Sequence, residues 1–359
     1  MPLHEDQGEH NTDPMIGRRE VCKRIGLLGS AVLLAGISSL ARAMTDAERL
    51  SSESEGQGIP RRQLGRTGVT VPILGLGGAH FLKTSDEEGT RIVQEAIDAG
   101  LTFFDNAWDY ANNRSETVMG KALKGHRHEV FLMTKMCTHG RGKKIGMLHL
   151  EQSLRRLGTD YLDLWQIHEV SCDDDPERLF QEEGAIEALA QAKQQGKVRF
   201  IGFTGHTNPS VHLNVLKYNF PFDTCQLPLN VFDASYKSFE RQVLPELLAR
   251  GIAPIAMKSL CGKGKPITQG ILTVEEAMRY VWSLPVATLV SGIDSREVLR
   301  QNLAIARRFV PMTQEEMAQL RRRVSSHATE GQFELYKKNP PWSCDQEEVE
   351  RRFSGLEKA

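Results

Sequence analysis

The sequence predicts an α/β protein: a (β/α)8 TIM barrel preceded by a short N-terminal hairpin. Three observations carry this expectation. Short runs of β-branched and aromatic residues alternate with amphipathic helical runs eight times. The helical runs carry their own start and stop signals, such as Ser85 with Glu88, Thr273 with Glu276, and Gly100, Gly158, Gly196 and Gly251 at the ends. Chemistry-bearing residues sit at several strand ends, the face where parallel barrels gather ligands.

The elements follow in order. Residues 61–64 and 69–71 are extended pieces around Gly65-Arg-Thr-Gly68, a hairpin. Residues 73–78 form the first barrel strand and run into small residues that permit close approach of a ligand. A helix follows with Ile92, Val93, Ala96 and Ile97 on one face. The strand at 101–104 is bounded by Gly100 and ends on Asp105. Ser115 is the predicted cap of a helix to Leu123, and 130–135 is the next strand. Leu150, Leu154 and Leu157 mark a helix before the strand at 161–167, and residues 185–195 a helix before the strand at 198–203. Asn208-Pro209 has the order of a cap and first helical residue, leading to the strand at 224–227. Strands at 252–257 and 287–290 complete eight, with helices at 243–250, 273–282, 295–306 and 313–324. An open doubly wound sheet would carry Gly-x-Gly-x-x-Gly after its first strand, which Leu74-Gly-Leu-Gly-Gly-Ala-His does not match. The barrel domain therefore covers 60–326. Residues 327–359 show no period and are predicted to lie across the barrel surface or mouth.

The N-terminus reads as an address. Gly17-Arg-Arg-Glu-Val-Cys-Lys23 precedes an apolar run that ends in Ala-Arg-Ala43. A basic region, a run too short for a stable span and an Ala-x-Ala site make 1–43 a twin-arginine-type signal, with 44–59 a polar linker. The export machinery is the implied partner and the periplasm the implied location. A retained anchor or a cytoplasmic location is the alternative, and Met15 is an alternative start to Met1. No stable membrane span is expected in the mature protein.

With 45 basic and 46 acidic residues spread over 359, no charge block suggests a nucleic-acid surface. The six cysteines show no Cys-x-x-Cys and no Cys/His ligand spacing, so no metal site is expected. Cys22 falls in the leader and leaves an odd number, so isolated buried thiols are the expectation.

Four residues converge on one strand-end face: Asp105, Tyr110, Lys135 and His168. Singly each is ordinary; together they suit carbonyl reduction. Hydride arriving at a carbonyl carbon leaves charge on oxygen, which needs a proton donor. A tyrosine becomes a better donor beside an ammonium, a carboxylate holds that ammonium, and a histidine orients the carbonyl oxygen.

Over roughly 61–323 the chain resembles the aldo/keto reductase family. The matching segments are Leu64-Gly-Arg-Thr-Gly68, Phe104-Asp-Asn-Ala-Trp-Asp-Tyr110, Ser115-Glu-Thr-Val-Met-Gly120, Thr134-Lys135, Leu154-Arg-Arg-Leu-Gly-Thr-Asp-Tyr-Leu-Asp-Leu164 leading to His168, Gly196-Lys-Val-Arg-Phe-Ile-Gly202 and Gln301-Asn302. The resemblance implies a metal-free enzyme using NADP (NAD possible). It places the proton donor at Tyr110, the tuning pair at Lys135 and Asp105, and the carbonyl-orienting residue at His168. It puts Gln226 and Thr204 on the nicotinamide carboxamide, with Gly205 then His206 where an asparagine is usual. Met257 and Lys258 fall where an aromatic ring often stacks, and Ser259 to Gly264, with Gly262, on the pyrophosphate. Gly292, Gln301 and Asn302 belong to the adenosine-phosphate segment. Val298 stands where an arginine often meets the 2′-phosphate; Arg296, Arg300 or Lys263 are the substitutes, and Asp294 would repel a phosphate.

His80, His139, His206 and Trp108 are candidates for the substrate pocket, Trp165 for packing, and Asp173-Asp-Asp175 for a solvated loop. The expected function is an exported reductase of an aldehyde or ketone. An internal redox or epimerising enzyme with a tightly held cofactor is one alternative, and a nucleotide-sensing regulatory subunit without turnover another.

Overall fold

A computed structural model describes residues 58–338 and 343–355; the expected signal, most of the linker and both ends of the hydrophobic leader lie outside them. Strands β1 (Arg61–Gln63) and β2 (Thr70–Pro72) pair antiparallel as the predicted hairpin. The barrel strands are β3 (Leu74–Gly77), β4 (Phe103–Asp105), β5 (Phe131–Met136), β6 (Leu162–Ile167), β7 (Val198–Thr204), β8 (Thr224–Pro228), β9 (Ala253–Met257) and β10 (Thr288–Gly292). They close in the order β10-β3-β4-β5-β6-β7-β8-β9, every pair of neighbours parallel. The predicted closed barrel with its hairpin is the observed fold.

The helices are α1 (Asp86–Asp98), α2 (Arg114–Ala122), α3 (Lys143–Leu157), α4 (Asp175–Phe180), α5 (Ala185–Gln194), α6 (Pro209–Leu216), α7 (Phe239–Gln242), α8 (Leu244–Ala249), α9 (Lys265–Thr268), α10 (Val274–Trp282), α11 (Arg296–Arg307), α12 (Gln314–Val324) and α13 (Gln346–Phe353). None among the described residues is long and apolar enough to cross a membrane. The apolar stripe of α1, Ile92, Val93, Ala96 and Ile97, is buried as its spacing requires. Thr273 and Glu276 form a complete capping box at α10, as do Thr313 and Glu316 at α12. Thr273→Ala removes an acceptor for the Glu276 amide and is expected to cost about 1 kcal/mol, read as a lower urea midpoint at unchanged slope. Ser115 is not the cap of α2: Asn113, in the left-handed region, holds that position, and the Ser115 hydroxyl donates to the Gly78 carbonyl at 2.8 Å.

The bottom of the barrel is closed by the hairpin. Leu64 and Val71 pack with Phe103, Phe131, Met133, Leu164 and Ile255 in one buried cluster. Arg62 donates to the carbonyls of Trp282, Leu284 and Val286, satisfying the end of α10. With that end sealed, ligand access is left to the strand C-termini.

The tail covers part of the opposite end. Lys337 is fully buried and pairs with Asp233 at 2.6 Å and Glu334 at 2.9 Å, pinning residues 334–337 to the loop after β8. Farther on, α13 buries Val349 and Phe353 against Trp108 and Cys137. The sequence expectation for the cysteines is corrected here. Cys172 and Cys344 form a disulfide across a separation of 172 residues, and Cys137, Cys225 and Cys261 are buried thiols. The tail helix was invisible as a period because only two of its eight residues are buried.

Candidate active site

Each of the four residues arrives at the mouth by its strand. Asp105 is the last residue of β4 and Lys135 the fifth of β5, on adjacent parallel strands. Both are buried, so the Lys135 ammonium has to be paired, and it is. It donates to Asp105 Oδ1 at 2.8 Å, to the Asn106 carbonyl at 2.7 Å and to the Tyr110 hydroxyl at 3.4 Å. The Asp105 Oδ2 accepts from Gln226 Nε2 at 2.9 Å. Tyr110 lies in the loop between β4 and α2, with its ring edge-on to His168 at 5.6 Å. The structure therefore brings Asp105, Tyr110, Lys135 and His168 together, as the sequence placed them.

The electrostatics differ from the simple expectation. Burial, followed by the carboxylates of Asp105, Asp109 and Glu169, pushes the Tyr110 phenol well above its ordinary range. Tyr110 therefore stays a neutral donor, and Lys135 does not make it acidic. That suits donation to an alkoxide, a far stronger base than a phenolate.

His168 sits between two carboxylates that the sequence reading passed over. Its Nδ1 is 3.3 Å from Asp109 and its Nε2 3.9 Å from Glu169. His206 Nε2 lies 2.9 Å from the same Glu169 oxygen. Although its own burial opposes ionisation, Glu169 is held at about 2 by His206, His168 and Lys258. Burial pushes the imidazole of His206 down, so a neutral His206 donating to an ionised Glu169 is the state at neutral pH. Asp109 and Glu169 directly adjoin Tyr110 and His168 in sequence, which was the one signal available; a loop carboxylate reads as solvated until the fold buries it.

The expected cofactor residues are mixed. Thr204 ends β7 and pairs in register with Gln226, the third residue of β8, and Gln226 Oε1 is a buried oxygen without a hydrogen bond among the described residues. Met257 and Lys258 follow at the end of β9, and Lys258, Cys261, Gly262 and Gly264 all adopt the left-handed region, giving a tight loop with Ser259 buried inside it. The Lys258 ammonium lies over the Tyr336 ring at 5.2 Å, and its pKa is lowered by burial. Tyr336 had no signal in the sequence. Asn302 donates to Ser291 Oγ at 3.0 Å, Gln301 is exposed, and Gly292 is covered by the His80 ring, which a Cβ there would strike. Arg296 and Arg300 meet Glu88 and Glu95 of α1 in partly exposed ion pairs, while Asp294 is met by Lys83 at 3.3 Å.

Two expectations are corrected. Trp108 is fully buried: its indole N–H donates to Gln152 Oε1 at 2.7 Å, and its ring packs on His149 at 4.0 Å and Phe353 at 6.4 Å. No face of it is left for a ligand. Asp175 is not part of a solvated loop; it is buried and accepts from Arg141 Nε at 2.9 Å, while Arg141 also donates to the carbonyls of His168 and Glu169. This ion pair holds the backbone that carries both mouth residues. Asp174 and Asp175 lie near Cys172, but its sulfur is in the disulfide and Asp175 holds Arg141, so the group makes no metal centre. His80 lies by β10, its ring against Gly292. Two open grooves lie on the flanks, one of about 420 Å³ beside Tyr218 and Asn214 and one of about 500 Å³ beside Arg323. Neither contains Tyr110, Lys135 or His168, and the buried unsatisfied atoms at the mouth are the better guide to a ligand site.

A closed parallel barrel with an acid–base cluster at its strand ends defines the class. The chain belongs to the aldo/keto reductase family, whose model matches residues 73–265, more than half of the sequence. Aldo-keto reductase YhdN of Bacillus subtilis is 29% identical over 232 residues, 60% of this chain and 64% of that protein. The chain thus spans just under two thirds of that relative. Methylglyoxal reductase YeaE of Escherichia coli is 34% identical over 133 residues, 36% of this chain and 44% of its own. The holo form of aldo-keto reductase AKR11C1 from Bacillus halodurans superposes with a TM-score of 0.63 at 25% identity, covering 73% of this chain and 95% of that one.

Proposed function

We propose that the chain is an exported oxidoreductase that reduces an aldehyde or ketone with a nicotinamide nucleotide, NADP before NAD, and that Tyr110 gives the proton. The observation carrying this reading is the contact chain Asp105–Lys135–Tyr110, 2.8 Å and 3.4 Å long, buried where β4 and β5 end. Gln226 Oε1, buried and unsatisfied, suits a primary amide donor, and the left-handed loop at 258–264 offers a close backbone for a pyrophosphate. The nucleotide, when bound, supplies hydride. The residues of the chain do the rest: His168 donates to the carbonyl oxygen, and Tyr110 places its proton on that oxygen as charge develops. NADP preference rests on the family resemblance, with Arg296 and Arg300 as the arginines of the adenosine-phosphate segment.

Export is supported by the twin-arginine pattern and by the Cys172–Cys344 disulfide, a bond that persists in oxidising compartments. The reading names the twin-arginine machinery as the partner and the periplasm as the location. The mass of the mature protein is expected to begin after Ala43; an intact leader in the cell envelope would overturn that part.

The test of activity is loss of NADPH absorbance with a panel of aldehydes that includes methylglyoxal. Turnover by the wild type, falling to about 1% or less in Tyr110→Phe with nucleotide binding retained, is the expected result. Nucleotide binding without turnover of any carbonyl would favour a regulatory subunit instead.

A further inference from the structure

We propose that the ammonium of Lys258 receives an acidic group, a carboxylate or a phosphate ester, that the carbonyl substrate carries away from its reacting carbon. The inference rests on the functional reading above for where the carbonyl sits, and adds the class of compound that the mouth selects.

The first argument is a missing partner. Lys135 and Lys337 are buried, and each meets a carboxylate: Asp105 at 2.8 Å for the one, Asp233 at 2.6 Å and Glu334 at 2.9 Å for the other. Those ion pairs offset the hydration the ammonium groups lost. Lys258 differs. Among the described residues it has no carboxylate within 4 Å and donates no hydrogen bond; its ammonium lies over the Tyr336 ring, 5.2 Å from the centroid. A ring face replaces only part of the lost hydration. Lys258 also keeps partial exposure, so a ligand at the mouth can reach it.

The carboxylates whose charge acts on Lys258 are Glu169 and Asp105, and both are held by other donors. Glu169 accepts from the Ser171 hydroxyl at 3.1 Å on one oxygen and has His206 Nε2 at 2.9 Å from the other. Asp105 accepts from Lys135 on Oδ1 and from Gln226 on Oδ2. Neither is left to answer Lys258.

The direction of the side chain is the second argument. Lys258 directly follows β9, at the rim where the strands end. Its charge acts on His80 after β3, on Glu169 after β6 and on His206 after β7, and it is acted on by Asp105 of β4 and Lys135 of β5. A group that reaches strand ends from β3 to β7 lies over the mouth, not along the outer flank. The backbone of Lys258 is left-handed, with φ of 60°, a conformation that costs a side-chain-bearing residue free energy and persists where the surroundings impose it. Tyr336, which backs the ammonium, is itself fixed: its hydroxyl accepts from Asn230 at 3.0 Å and donates to Glu334 at 2.9 Å, and its ring stands edge-on to His206 at 5.6 Å.

Two ligands can bring the anion, the pyrophosphate of the nucleotide or the substrate. The charges that act on Lys258, those of Glu169, Lys135 and Asp105, surround the proton-transfer cluster, so the anion is the substrate's. With its carbonyl oxygen at Tyr110 and His168, the substrate presents its acidic end to Lys258.

The test compares paired aldehydes on the wild type, Lys258→Met and Lys258→Arg at saturating NADPH. Succinic semialdehyde is set against butanal, and glyceraldehyde 3-phosphate against glyceraldehyde. The wild type is expected to prefer at least one acid over its neutral partner in kcat/KM. Lys258→Met is expected to lose about tenfold or more of that preference, chiefly through KM, and Lys258→Arg, which keeps the charge, to retain most of it. No preference in the wild type, or a preference that survives Lys258→Met, would overturn the proposal. So would an effect of Lys258→Met confined to the NADPH dissociation constant, read by fluorescence titration, which gives the residue to the pyrophosphate.

Calorimetry separates this proposal from the reductase reading. Succinate and glycerol 3-phosphate, which have no carbonyl to reduce, are titrated into protein saturated with NADP. At least one is expected to bind the wild type, and to bind Lys258→Met about tenfold or more weakly. Binding of neither, or equal binding by both proteins, overturns the acid site. If no aldehyde is turned over by any form, the reductase reading fails and these titrations alone decide whether Lys258 receives an acid.

Discussion

Lys135→Met is expected to produce the largest combined loss, in stability and in activity together. The ammonium satisfies Asp105, the Asn106 carbonyl and the Tyr110 hydroxyl at once, in a site with almost no solvent. Methionine matches the length of the stem and brings no charge. Asp105 would then keep a single described donor, Gln226 Nε2, for a buried carboxylate. Leaving such a charge uncompensated costs about 3–5 kcal/mol, read as a fall in the urea midpoint. Turnover is expected to fall a further 10²–10⁴-fold or so, because the phenol loses the ammonium that holds its oxygen toward the substrate. The double variant Lys135→Met with Asp105→Asn separates the effects. It removes the stranded charge, so stability is expected to return in large part while turnover stays lost. If both recovered together, Lys135 would be a structural partner only.

The parts of this molecule that were legible in its sequence are those governed by local rules. The barrel follows from alternation and capping, since Ser85, Thr273 and Thr313 each fix a helix start with their own side chains. The four-residue cluster was legible because each member lies within a residue of a strand end or in the loop directly after one. What could not be read were effects made by distant chain segments. Trp108 looked like a pocket wall until α13, more than two hundred residues later, was placed on it. Asp109 and Glu169 became buried partners of His168 through the fold, and Arg141 reached Asp175 across two loops. The disulfide belongs to the same class, because parity of cysteine count says nothing about which two sulfurs meet. Arg296 and Arg300 show the same limit from the other side: their pairing with carboxylates of α1, in partly exposed ion pairs, is set by the fold and not by their neighbours in sequence.

Acid is expected to unfold this protein early, and the reason is a buried imidazole. His212 lies on α6 among Phe203 at 5.3 Å and Phe239 at 5.0 Å, fully buried. Burial, and then neighbouring His206, pushes it down to about 3, against a smaller opposing pull from the Asn208 backbone. An unfolded histidine titrates near 6.5 or so. Below that pH the unfolded chain takes up a proton that the folded chain refuses, so stability is complete above about 6.5 and falls as pH drops toward about 3. At pH 4.5 the loss amounts to about 2–3 kcal/mol, at roughly 1.36 kcal/mol for each unit. Glu169 acts in the next window with the same sign. Its folded value of about 2 lies under the unfolded carboxyl, so its contribution is present above about 4.5 and lost on further acidification. Urea midpoints between pH 7 and pH 4.5 are therefore expected to fall in the wild type and much less in His212→Leu, which fills a similar volume without a titrating ring. Between pH 4.5 and about 3 the wild type is expected to keep falling faster, because His212 is still titrating, and only below about 3 should the two run in parallel, since Glu169 is common to both. A wild type whose midpoint is flat from pH 7 to 4.5 would show that His212 takes up its proton in the folded state, and that the apolar wall around it opens to water.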